Sequence, residues 1–257
     1  MSKFNLFDNW PAFSKITEGI YQMQQKIDGI MRPVVEVLDK FQSGFAEVTT
    51  KLVKASRPLI VIEKLGKAQF VYWDFLTDEF TDAILSSNNI NKTLREICVR
   101  DKFRKANNTI DLCSRHAIIV LHDRIFSQTV AAYRNKQYDL AAVGIISVID
   151  SVLSDISGNR VTNIFKRANA ILKKVEETDS IENEEFAVLV LTWTFRKTME
   201  SISANSDFNS KEPKNLNRHW IMHGRSRRRR TQLDCIKLLN FLYGILLIDE
   251  LGNTEKE

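Results

Sequence analysis

Residues 138–156 read YDLAAVGIISVIDSVLSDI. The run is very apolar from Leu140 to Ile149 and continues too long for a strand, so it reads as a helix. Ser157-Gly158-Asn159 ends it, with Gly158 placed for a left-handed C-cap. The rest of the second half follows from this element. One helix is expected from Ile110 to about Arg134, joined by the short turn Asn135-Lys136-Gln137. A third is expected from Val161 to about Glu177, and a fourth from about Glu182 to Ser203. Glu184 and Glu185 fall in the first turn of the fourth, where carboxylates favour the helix dipole. Residues 204–216 are polar, contain Pro213 and read as a loop. A last helix is expected from about Arg228 to Leu251, with Leu238, Leu239, Leu242, Leu246 and Leu247 facing a core.

The first hundred residues are less regular. Pro11 suits a first helical turn. Ile16, Ile20, Met23, Ile27, Ile30 and Val34 then form one helical stripe, which Pro33 bends or ends. The stripe resumes through Val34, Leu38, Phe41, Phe45, Val48 and Leu52 and closes at Arg57-Pro58. This suits an amphipathic hairpin packed on its own domain, or a dimerisation arm. Leu59–Ile62 and Phe70–Trp73 fit short strands and helical segments equally. Ser86-Ser87-Asn88-Asn89 reads as a loop near a junction. The expected organisation is therefore a mostly helical region over 1–100 and a helical bundle over 101–257.

Composition agrees with an all-α fold. The 257 residues include only 9 Gly and 4 Pro, too few for a turn-rich β protein. Hydrophobic residues at 44% and charged residues at 27% are ordinary for a globular chain. The charge-free apolar stretches 186–195 and 238–248 fall short of the roughly 20 residues that span a bilayer. With no signal-peptide pattern at the start, the expectation is a cytoplasmic protein without membrane contact. Cys98, Cys113 and Cys235 are odd in number and widely spaced, which suits three buried thiols and no disulfide framework.

The net charge of +5 is concentrated. Between Lys211 and Arg230 stand eight bases and one acid, Glu212, so the rest of the chain is slightly acidic. A local polyanion contact fits this better than a generally basic surface. Two of the four histidines lie inside that segment, in Asn217-Arg218-His219-Trp220-Ile221-Met222-His223-Gly224. Three chemistries compete there. His219 and His223 have the spacing of a zinc-binding helix, but no Glu follows the first His, no third ligand is near, and arginines crowd the site. Alternatively the histidines cap or pack and the arginines form a solvated face. The third is RNA cleavage without a metal or cofactor. RNA carries its own nucleophile, histidine can move protons near neutrality, and arginine can hold the phosphate. Arg218 and His223 lie about 140° apart on an ideal helix. They converge only through irregular backbone, which Gly224 permits, or through two chains.

Arg218-His219-Trp220-Ile221-Met222-His223 ahead of an apolar terminal helix resembles the Arg-polar-x-x-x-His signature of the HEPN superfamily. NRHxxxHG with the earlier helix Tyr138–Asp150 is similar to a bacterial branch of it. The resemblance covers about residues 110–251. It implies an α-helical bundle that dimerises with two motifs facing each other. It also implies metal-independent cleavage of RNA to 2′,3′-cyclic phosphate and 5′-hydroxyl ends, in a toxin or abortive-infection effector with an antitoxin or defence partner. Some relatives only bind RNA or nucleotides. The implied roles are proton transfer at His223, phosphate binding at Arg218 and assistance from His219, with Asn217 in support. Arg225, Arg227, Arg228, Arg229 and Arg230 would hold the RNA backbone. Asp150 fits equally a structural ion pair and a partner that orients Arg218 or His223. Leu238, Leu242 and Leu246 fit either a dimer interface or the chain's own core.

Overall fold

The computed structural model describes residues 57, 60–72, 78–158, 167, 185–205 and 207–251. The helices expected before residue 57 and, apart from residue 167, between 161 and 177 lie outside them. The described part is all-α and, from residue 60 on, belongs to one compact unit, Ile60–Glu257. After a helical stretch at 60–67 come α1 (Asp78–Ser86), α2 (Ile90–Arg115), α3 (Ala117–Val120), α4 (Asp123–Arg134) and α5 (Tyr138–Ser157). They are followed by α6 (Glu185–Ile202), α7 (Arg218–Met222) and α8 (Gln232–Leu251).

Helix α8 is the hub, packing on α2, α5 and α6. It is apolar on nearly every side, as a central helix must be. Leu238, Leu242 and Leu246 are each fully buried within the chain, so they are core and not a dimer surface. Leu65, Ile84 and Leu94 are fully buried in the same core, which therefore extends well before residue 100.

Helix α5 meets α4 closely because Gly144 has no side chain. A Cβ there would stand 2.2 Å from Thr129 Oγ1. Gly158, at φ +74°, caps α5 as its position suggested. By length and hydropathy α5 is the one described helix that would cross a membrane, but Ala141, Ile145, Ile149 and Val152 are buried in the bundle. Its outer face carries Leu140 and Val143 in line with Ser147 and Asp150.

Two helices differ from expectation. The helix expected over 110–134 is broken twice. His116 adopts an extended backbone (ψ 133°), and its Nδ1 accepts the Ile118 N–H at 3.3 Å, capping α3 in place of continuing α2. A second break at Leu121–His122 precedes α4. The last helix starts at Gln232, not near Arg228, because the preceding N–H groups are taken by side chains. Glu212 accepts from Arg227 and Arg228, and Asp139 accepts from Arg230. Thr231 and Asp234 then bond reciprocally, at 2.8 Å and 3.2 Å, as a capping box.

Segment 60–72 resolves as helix followed by a non-helical tail. The tail has no strand partner among the described residues; Asn240 of α8 substitutes for one, accepting from Val71 N–H at 2.7 Å and donating to Val71 O at 3.1 Å. Just before it, Gln69 stands in the left-handed region at φ 57°. Its amide donates to Leu216 O and accepts from Leu216 N–H, both at 2.7 Å. This clasp fixes the chain immediately ahead of Asn217.

Candidate active site

Asn217 starts α7. Its Oδ1 accepts the Trp220 N–H at 3.2 Å and its Nδ2 donates to Ala204 O at 2.9 Å. It is therefore a buried N-cap that ties α7 to the loop after α6. Helix α7 lasts only five residues. Gly224, at φ +62°, turns the chain back, and the N–H groups of Arg225 and Ser226 both donate to Trp220 O at 3.0 Å. This irregularity follows His223, so it places Arg225 beside the end of α7 but does not bring Arg218 and His223 together.

Arg218 leaves α7 towards α5. Its Nε lies 3.0 and 2.9 Å from the two Asp150 carboxylate oxygens, and Nη2 lies 2.5 Å from Oδ2. Both side chains are part-buried. This is a charge-assisted fork in a fixed orientation, with Nη1 outside the pair. Asp150 thus meets the motif arginine directly.

His219 and His223 sit one turn apart with parallel rings, centroids 6.0 Å apart. Burial, then the charge of Arg218 and the neighbouring His223, lower the His219 pKa, against a smaller opposing pull from Asp150. This favours the neutral form of His219, the form that accepts a proton. His223 is exposed and meets Phe208 edge-on, at 5.7 Å between centroids. Phe208 also packs edge-to-face on Trp220 at 5.4 Å, and the Arg225 guanidinium lies 5.5 Å from its ring centre. Among the described residues no group of three or more His, Cys, Asp and Glu side chains forms a metal-binding set around the histidine pair.

The arginine run divides. Arg230 is 6% exposed. Its Nη2 donates to Glu212 Oε1 and Arg228 O, both at 2.9 Å, and to Ser226 Oγ. It is a structural cation and not a free one. Arg228 is partly committed, with Nη1 on Lys214 O at 2.8 Å and Nη2 3.5 Å from Asp234. Arg225, Arg227 and Arg229 are exposed. Glu212 organises the loop. Burial raises its carboxyl, but hydrogen bonds from Ser226, Arg227 N–H, Arg230 and Arg228 N–H outweigh this and hold it below the usual range.

The other two histidines hold the fold. His116 Nε2 lies 3.3 Å from Glu250, and His122 Nε2 lies 2.7 Å from Asp155. The three cysteines are buried, and burial pushes the Cys98 thiol up to about 11 and Cys235 to about 12. Neither is a thiolate nucleophile at neutral pH.

Sequence reasoning missed Phe208, Glu212 and Gln69. Glu212 carried a signal, as the sole acid among eight bases. Phe208 is one aromatic residue in a polar loop, and Gln69 acts on a residue 147 positions away, so neither had a local pattern. No family model, curated protein or solved structure matches the chain.

Proposed function

We propose that the chain is a metal-independent endoribonuclease of the HEPN type, acting in the cytoplasm as a toxin or phage-defence effector. The observation that carries this reading is the Arg218–Asp150 fork beside the parallel His219–His223 pair, on a surface that also presents Arg225, Arg227 and Arg229. In the proposed reaction the RNA 2′-oxygen attacks the adjacent phosphorus as its proton passes to a neutral imidazole. The bond from phosphorus to O5′ breaks, and a protonated imidazole gives that oxygen its proton. The products are a 2′,3′-cyclic phosphate and a 5′-hydroxyl. His223, exposed at the end of α7, is the principal proton-transfer group. His219, whose surroundings favour the neutral form, assists by taking the 2′-hydroxyl proton. Arg218, aimed by Asp150, offers Nη1 to the charge that develops on the phosphorane. A second copy of the chain is part of the proposal, since Arg218 turns to α5 while His223 turns to Phe208.

The Arg218–Asp150 pair also favours a second reading, in which it is purely structural and the basic segment binds RNA or a nucleotide without cleaving it. A His223→Ala protein separates the two. Under the first reading RNA cleavage is lost and binding is kept. Under the second, wild type shows no 5′-hydroxyl ends above background. Excess EDTA leaves cleavage intact under the first reading; loss with rescue by zinc or manganese would instead point to metal bound at His219 and His223.

A further inference from the structure

Phe208 is 37% exposed. The tight turn Asp207–Ser210 presents it, with Asn209 N–H and Ser210 Oγ both bonded to Asp207. Its ring makes T-shaped contacts with Trp220 and His223, and the Arg225 guanidinium stands over it. A partly exposed aromatic ring beside an exposed imidazole and an exposed guanidinium suits a nucleobase attached to a phosphate. Bases stack on aromatic rings and on arginine planes only when they are unpaired.

We infer that Phe208 and Arg225 form a base-binding subsite, so that the substrate is single-stranded RNA with an unpaired base stacked on Phe208 next to the phosphate that is cut. The inference rests on the ribonuclease reading for the position of the cut. It does not depend on that reading for the stacking itself. The subsite places the phosphate rather than reacting with it: a base held on Phe208 puts its own phosphate beside His223, while Arg225 stays within reach of the neighbouring backbone. A sealing role for Trp220 needs only an apolar side chain at position 208, whereas stacking needs an aromatic one.

The test uses the full chain and single-stranded 2′-fluoro oligonucleotides, which lack the nucleophile and stay intact. One abasic nucleotide is moved along the oligonucleotide, and affinity is measured for wild type, Phe208→Leu and Phe208→Trp. Removing the base at one position should weaken binding to wild type and to Phe208→Trp about tenfold. Phe208→Leu should bind the complete oligonucleotide about tenfold more weakly and be nearly indifferent to the missing base. Equal abasic penalties in wild type and Phe208→Leu overturn the inference. In parallel, wild type is given unmodified RNA, free and annealed into a duplex. Cleavage confined to the free strand, one nucleotide from the sensitive position, supports both claims. Equal cleavage of the duplex, or a cut far from that position, overturns the subsite. Base coupling without any cleavage sinks the ribonuclease reading and leaves the subsite standing.

Discussion

Arg218 and Asp150 meet across 68 residues of sequence. A carboxylate that takes two nitrogens of a part-buried guanidinium fixes its plane, and that is what a phosphate-binding arginine requires. Asp150→Asn keeps the shape and removes the charge. Under the ribonuclease reading kcat should fall roughly tenfold to a hundredfold with little change in KM. Urea unfolding should show a loss of about 1–2 kcal/mol. Unchanged kcat with lowered stability would assign the pair to the fold alone. Lys237 gives a prediction of a different kind. It is buried, bonded to Asn91 at 2.7 Å, and burial lowers its pKa to about 8. Between pH 8 and its ordinary value of about 10.4 the unfolded chain holds the proton and the folded one does not. Stability should therefore rise with pH through that window. Lys237→Met should be more stable than wild type at pH 7 and lose that slope, as read by denaturant midpoints. At this scale Arg218, His219 and His223 were legible from spacing. The partner of Asp150 was legible only as alternatives, a structural ion pair or the orientation of Arg218 or His223, since nothing local ties it to either residue.

The segment 225–231 shows how one acid shapes a basic element. Glu212 and Asp139 take the N–H groups that would have extended α8, so a run that reads as a helix start becomes a loop. Glu212→Gln should cost about 2 kcal/mol, because Arg230 loses its counter-charge while remaining buried. The arginines should then separate by assay. Arg227→Ala with Arg229→Ala should lower the salt dependence of RNA binding by roughly 0.7 per lost phosphate contact and leave unfolding unchanged. Arg230→Ala should do the reverse. An identical salt slope in all three proteins would show that the loop does not touch RNA. The same reasoning explains the break at His116. Apolar periodicity marks where a helix can run, whereas a capping side chain decides where it stops, and that choice depends on Ile119 reaching the core.

Across the whole molecule, helical class was legible because periodicity and the scarcity of Gly and Pro say the same thing. The core's reach back to Leu65 was not, because it depends on Asn240 and Gln69 bonding to backbone far away in sequence. The surface of α5 carries the last prediction. Leu140, 61% exposed, and Val143 follow the same helical row as Asp150. A second copy covering that row would bring two motifs together. Under the two-chain ribonuclease reading, Val143→Glu with Leu140→Glu should shift the sedimenting species from dimer to monomer and reduce cleavage. Mixing Arg218→Ala with His223→Ala chains should restore part of the activity absent from each. A fully active monomer at assay concentration would remove the two-chain arrangement.

The clasp between Gln69 and Leu216, like that between Asn240 and Val71, joins parts of the chain that a ribosome makes far apart in time. Contacts of such long sequence separation form late, after loop closure has cost its entropy. Helix α8 follows the histidines in synthesis, yet it anchors the tail that steadies the loop in front of them. A nascent chain that has exposed His223 but not Asn240 therefore holds the right residues without the frame that aligns them. Under the ribonuclease reading, the ribosome making this protein would be spared its product until the final helix has docked.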